Sequence, residues 1–178
     1  MALRVRGRAW RLGDGISTDH IISGKFKYQK ARLEEMLPYL LHEIIPDFYR
    51  KVKPGDVIVA GKGFGYGSSR EHAARLLKMA GVGAVVAMSV HRIFYRNAVN
   101  VGLYIAISKN VPPATETGDI IIVDLDKGIV GNETKGIYER LPPLHPIVKE
   151  LLEAGGLEGY VASRGKLPWE ADNLTSHP

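Results

Sequence analysis

Between positions 61 and 73 the chain reads Gly-Lys-Gly-Phe-Gly-Tyr-Gly-Ser-Ser-Arg-Glu-His-Ala, setting four alternate glycines ahead of two hydroxyls and a guanidinium. The glycines permit positive backbone dihedrals and leave no side chain between the main chain and a bound ligand. Ser68 stands three residues before Glu71, the spacing of a capping box, which places Ser68 at a helix N-cap with Glu71 reaching back to it. Unpaired amides and the positive end of the helix dipole at such a start favour an anion. Arg70 adds a planar fork matched to a carboxylate, and Ser69 a further hydroxyl donor. The same positive surroundings lower the cost of deprotonating Ser68, so its hydroxyl could act as a general base once water is excluded. On these residues alone, carboxylate binding, phosphate binding and plain helix capping stay open. The known glycine fingerprints fit poorly: Ser-Ser-Arg follows the last glycine where a P-loop needs Lys-Ser/Thr, and no convincing acidic partner for a dinucleotide follows the next strand.

Such a turn needs a strand before it and a helix after it. Val57 to Ala60, entered through Pro54-Gly55-Asp56, is a short apolar run that fits a buried strand. Helical spacing follows through Ala73, Ala74, Leu76, Leu77 and Ala80, and Gly81-Val82-Gly83 leads into a strand from Ala84 to Met88. A second helix is expected from His91 to Val99 and a strand from Leu103 to Ile107, continuing an α/β alternation. Upstream, residues 3 to 12 alternate arginine with apolar or small residues, as a strand with one solvated face does. Ser17 to Gly24 is polar and turn-prone, Lys25 to Tyr28 reads as a loop, and residues 31 to 45 read as helical. Downstream, Asp119 to Asp124 and Gly128 to Gly131 suggest a hairpin, and Pro146 to Ala154 a helix stopped by Gly155-Gly156. Residues beyond Arg164 read as loosely tethered.

The composition, 178 residues with 45% hydrophobic side chains, suits one domain with a real core. No apolar stretch approaches a membrane span and no signal peptide is evident, so a cytoplasmic protein is expected, with no membrane partner. The chain has no cysteine. Disulfides, thiolate zinc sites and cysteine nucleophiles are therefore excluded, and any iron–sulfur cluster needs ligands from another chain. The net charge of +5 is dispersed along the sequence, so nucleic acid is not the expected partner and a small anionic substrate suits the charge equally well. The histidines lack metal-ligand spacing, and no metal site is expected in this chain.

Gly65 to Ala73 resembles the Gly-x-Gly-Ser-Ser-Arg-Glu-His-Ala motif of the small-subunit, or swivel, domain of the aconitase superfamily. Ser17-Thr18-Asp19-His20-Ile21 is similar to that family's upstream Thr-Asp segment, and His91 to Ala98 with Asn100 to Leu103 to its Arg-Ile-Phe-x-Arg-Asn segment. The matches run in order along residues 4 to 160 and look most like 3-isopropylmalate dehydratase and archaeal homoaconitase-type small subunits. The resemblance implies an α/β fold, a single swivel-type domain over residues 1–164 with a mixed sheet flanked by helices in β/β/α layers, and a C-terminal tail over 165–178. It implies a hydro-lyase of leucine biosynthesis that moves a hydroxyl between neighbouring carbons by dehydration and rehydration. That enzyme works only with a large subunit carrying a [4Fe–4S] cluster, this chain binding no cofactor itself.

By resemblance Ser68 is the catalytic base, Ser69 and Arg70 hold substrate carboxylates, and Asp19 reaches the rim of the site. The Gly24 to Gln29 loop reads the substrate's variable group, with Lys25, Lys27 and Tyr28 as its candidates and Phe26 beside Tyr28 as an apolar lining. That loop fits neither the arginine-containing nor the apolar family pattern, so homoaconitate, citrate and a dimethylmalate-like acid stay open beside isopropylmalate. Arg92 and Arg96 either pair with acidic groups, support the glycine turn or lie on a solvated helix face, while Asn97 and Asn100 cap or hold turns. His20 and His72 read as hydrogen-bonded structural residues. A non-catalytic module that binds an anion or RNA is the rival class; it requires a basic stripe with exposed aromatics.

Overall fold

A computed structural model describes residues 2–29, 32–67, 69 and 71–170, with Lys27, Tyr28 and Gln29 described by backbone only. In chain order the elements are β1 (Arg4–Arg11), α1 (Thr18–Ile21), α2 (Gly24–Gln29), a 3-10 helix (Leu33–Tyr39), α3 (Phe48–Lys51), β2 (Val57–Ala60) and α4 (His72–Met79). They continue with β3 (Ala84–Ala87), α5 (Arg92–Asn100), β4 (Tyr104–Ile107), α6 (Val111–Ala114), β5 (Ile120–Asp124), β6 (Ile129–Asn132), β7 (Ile137–Arg140), α7 (Pro146–Glu153), α8 (Leu157–Arg164) and a short 3-10 turn, Pro168–Glu170.

The strands form one mixed sheet in the order β4-β3-β2-β1-β5-β6-β7. β1 divides its length between two kinds of partner: Ala9 to Arg11 pair parallel with Val57 to Val59, while Arg4 to Arg8 pair antiparallel with β5. The period-two alternation of side chains sorts residues between two cores. Val57, Val59, Ala84, Val86, Tyr104 and Ala106 enter one core with Ile121, Val123 and Val130. Ile58, Ala60, Val85, Ala87 and Ile105 point the other way, into a core shared with the apolar stripes of α4 and α5. The sheet curls over the first core, giving two β layers, and the helices on the second core make the third.

Glu139 of β7 fastens the curl. Its carboxylate accepts from Ser108 Oγ at 2.6 Å and from the amides of Lys109 at 3.1 Å and Asn110 at 3.0 Å, just beyond β4. The two ends of the sheet order are thereby joined through one side chain. Burial alone would raise this carboxyl, but the donors from Ser108, Asn110 and Lys109 outweigh it and hold it below the usual glutamate range.

Several expectations need correction. Lys25 to Tyr28 lie in helix α2, not in a loop, because Phe26 is buried and stacks on Tyr39 with ring centroids 4.1 Å apart. The expected helix over 31 to 45 is a 3-10 helix from Leu33 to Tyr39 followed by turns; Pro38 within it has no amide for an α-helical bond. Its apolar spacing still buries Met36, Leu37, Leu40 and Leu41. β7, α6 and α8 add to the expected elements, and Tyr160 of α8 packs fully buried against Val99 and Leu151. Of the tail, residues 165–170 include buried Pro168 and exposed Trp169, and 171–178 lie outside the described residues. No helix among the described residues is long and apolar enough to cross a membrane.

Candidate active site

The glycine-rich turn prolongs the parallel sheet past the end of β2. On one side the amides of Gly15, Gly65 and Thr18 donate to the carbonyls of Lys62, Ile16 and Tyr66 at 2.7, 2.7 and 2.8 Å. On the other, the amides of Met88 and His91 donate to the carbonyls of Gly61 and Phe64 at 3.1 and 2.9 Å, and Phe64 N donates to Ser89 O at 3.0 Å. Two side chains complete the cradle: Asp14 Oδ1 accepts from Lys62 N at 2.7 Å, and Ser89 Oγ from Gly63 N at 2.8 Å. The amides of the first half are thus spent within the protein.

This changes the reason for the glycines. A Cβ at position 65 would lie 2.5 Å from Phe94 Cβ and 2.9 Å from Phe94 Cδ2, and one at 61 would lie 2.9 Å from Asp14 Cγ. At these two positions the missing side chain makes room for the protein itself, not for a ligand. Phe94, 1% exposed, packs edge-on against Phe64 with centroids 5.2 Å apart, so the turn rests on an aromatic pair. Asp14 and Ser89 were not singled out from sequence; the Gly13-Asp14-Gly15 turn and a serine just after a buried strand were the available signals.

Ser68 and Arg70 lie outside the described residues. Between them Ser69 is exposed, and its carbonyl accepts from Asn97 Nδ2 at 3.1 Å, so α5 holds the turn as expected of Asn97. The expected helix start is corrected, while the Ser68 half of the expected capping box lies outside the described residues. Helix α4 begins at His72 with Glu71 as N-cap, and Glu71 Oε1 accepts from Arg75 Nη2 at 2.7 Å. Arg75 also donates to Glu158 Oε1 at 2.7 Å, tying α4 to α8; the bonds from Glu158 and then Glu71 raise its pKa further. His72 is corrected in one respect: its Nδ1 is buried without a hydrogen-bond partner among the described residues.

A capping box does form upstream, at α1. Ser17 Oγ accepts from His20 N at 3.1 Å and His20 Nδ1 accepts from Ser17 N at 3.0 Å, which accounts for His20 as a structural residue. Thr18, buried in the same helix, lies against Gly67, so α1 abuts the end of the glycine turn. Asp19 is exposed one residue on and its Oδ1 accepts from Gly24 N at 3.1 Å, linking α1 to α2. Lys25 lies 3.9 Å from Glu43 Oε1 in an exposed ion pair, the kind worth at most about 1 kcal/mol. Phe26 is withdrawn into the core between Tyr39 and His42, which removes it as a pocket lining. The side chains of Lys27 and Tyr28 lie outside the described residues.

Beside the turn, Gly65, Gly67, His91, Arg92, Ile93 and Arg96 line an open depression of about 380 Å³. No acidic side chain among the described residues lines it. Arg92 and Arg96 are exposed and form no ion pair among the described residues, which fits a solvated helix face. A separate groove of about 300 Å³ between β4 and the Leu141 to His145 segment is lined mostly by aliphatic and proline side chains. Its lining among the described residues includes Tyr95 and His145 but no arginine or lysine.

No three His, Asp or Glu side chains among the described residues are placed to hold a metal ion. With no cysteine in the chain either, its donors do not fit an iron–sulfur cluster.

Residues 15–109, which include α1, the glycine turn and α5, match the aconitase C-terminal domain family. Across its length the chain is 47% identical to 3-isopropylmalate dehydratase small subunit 2 of Archaeoglobus fulgidus, covering 93% of this chain and 99% of that one. It is 43% identical to the isopropylmalate/citramalate isomerase small subunit of Methanocaldococcus jannaschii, covering 90% and 95%. A crystal structure of 3-isopropylmalate dehydratase from the same organism superposes with a TM-score of 0.83 at 40% identity, covering 91% of this chain and 95% of that one. The domain match, the end-to-end similarity and the shared curled sheet agree, and the chain belongs to the aconitase C-terminal domain family, among small subunits of the 3-isopropylmalate dehydratase type.

Proposed function

We propose that this chain is the small subunit of a hydro-lyase that isomerises 3-isopropylmalate by dehydration and rehydration, a step of leucine biosynthesis, together with a large subunit that holds a [4Fe–4S] cluster. The observation that carries this reading is the 47% identity to a 3-isopropylmalate dehydratase small subunit over nearly the whole of both chains. The partner follows from that name together with the chain's lack of thiolates. When bound by the partner, the cluster would supply Lewis acidity to the substrate hydroxyl. The tasks left to this chain are to orient the carboxylates and to move a proton.

In this reading Arg70 and the Ser69 hydroxyl hold a substrate carboxylate, and Ser68 removes the proton from the carbon beside it. Loss of hydroxyl from the neighbouring carbon completes the dehydration. Hydroxide then adds to the carbon that lost the proton, and Ser68 returns its proton to the carbon that lost the hydroxyl. The support from this molecule is the scaffold: the turn carrying Ser69 is held from both sides by backbone bonds and from α5 by Asn97, so the catalytic segment leaves a rigid base. Asp19 positions the start of α2, the helix that carries Lys27 and Tyr28, and in this reading those two residues read the substrate's variable group.

The M. jannaschii relative named for both isopropylmalate and citramalate gives a second substrate a specific claim. The test is reconstitution with the large subunit, followed by assays on isopropylmalate, citramalate and tricarboxylic acids. Turnover of isopropylmalate is expected, and turnover of tricarboxylates alone would overturn the substrate assignment. In the same complex Ser68→Ala should lower kcat by about 100-fold or more with KM nearly unchanged. Near-normal turnover would remove Ser68 from the role of base.

A further inference from the structure

Some arginines of this chain find carboxylates, among them Arg6 with Glu133, Arg8 with Asp56, Arg75 with Glu71 and Glu158, and Arg164 with Glu150. Arg92 and Arg96 stand one turn apart on α5, a like-charge spacing that disfavours the helix, and neither is paired among the described residues. Beside them are two exposed apolar side chains, Ile93 at 49% and Tyr66 at 41% exposure, and Tyr66 touches the His91 ring at a centroid distance of 5.9 Å. The depression between these residues reaches Gly65 and Gly67 of the turn itself.

We infer that this patch is a docking surface for the large subunit, with Arg92 and Arg96 receiving carboxylates of an acidic segment and Ile93 and Tyr66 buried at the same contact. The inference rests on the proposed function and deepens it by naming the contact. Three observations favour a protein over a small anion here. Arginine and tyrosine with an exposed isoleucine have the composition of an interface core. A free hydroxy acid would leave Ile93 and Tyr66 uncovered. The patch is continuous with the turn that the partner must cover to complete the site, since this chain's donors do not fit the cluster.

The test is assembly of the full chain with the large subunit, followed as Kd against ionic strength. Arg92→Glu/Arg96→Glu is compared with Lys127→Glu/Lys166→Glu, which makes the same charge change at exposed lysines that form no ion pair among the described residues and do not line the depression. The first pair should weaken assembly about tenfold or more at low salt, and the gap should close as salt screens it. Ile93→Ser should weaken assembly at all salt concentrations. Thermal melting of the isolated variants should match the unmodified chain, because these side chains are exposed. Equal Kd and salt slope for both double variants would overturn the inference while leaving the function intact. Unchanged assembly with a raised KM for substrate would also overturn it, assigning the arginines to the substrate. Failure of the unmodified chain to assemble with the large subunit at any salt would instead sink the functional reading beneath it.

Discussion

Gly65→Ala tests whether the glycine turn exists for the protein's own packing. Position 65 has φ +77, and its added Cβ would come within 2.5 Å of Phe94 Cβ. Holding an alanine in the left-handed region costs about 1–2 kcal/mol. Displacing Phe94, which is 1% exposed and packed on Phe64, adds an overpacking cost of about 1–3 kcal/mol. The expected loss is therefore about 2–5 kcal/mol, or a Tm fall of about 5–15 °C for a domain of this size. Gly63→Ala supplies the internal control, because φ there is +70 and nothing lies within 4 Å of the added carbon. It should show the backbone cost alone. Urea unfolding followed by circular dichroism measures both. Combining Gly65→Ala with Phe94→Leu should recover part of the loss, a coupling expected only of residues in contact. Equal destabilisation by Gly65→Ala and Gly63→Ala, with no coupling to Phe94, would refute the packing argument and return the glycine to a ligand-facing role.

Two further outcomes follow from the same contacts. Glu139 has its pKa held down in the folded state, so its contribution is present above the ordinary glutamate range and is lost as pH falls through the lowered value. Urea midpoints measured from neutral to acid pH should fall less steeply in Glu139→Gln, which should also be less stable near neutrality; parallel curves would count against the clamp. Asn97→Ala removes the bond to the Ser69 carbonyl and leaves the fold in place. It should cost about 1 kcal/mol of stability yet lower turnover of the reconstituted enzyme about tenfold, since small misplacements of catalytic groups are expensive. Turnover unchanged at equal stability would show that Asn97 does not position the turn.

The sequence by itself determined the parallel half of the sheet. Its strands are short apolar runs bounded by glycine and proline, and its helices α4 and α5 carry their buried residues at helical spacing, so each element is specified by its own residues. The glycine turn was legible for the same reason: alternating glycines ahead of Ser-Ser-Arg are a local pattern, and their order with the Thr-Asp and Arg-Ile-Phe segments carried the family. What needed the tertiary structure was every feature whose partner is distant in sequence. Lys25 to Tyr28 become a helix where Phe26 finds Tyr39, and Pro38 turns an apparently helical stretch into a 3-10 helix and turns. Arg75 takes the Glu71 carboxylate, and the capping box that forms among the described residues is that of Ser17 and His20. The glycines at 61 and 65 changed meaning in the same way. A glycine in a sequence announces that a side chain must be absent, but only the fold reveals what fills the space, and here it is Asp14 and Phe94.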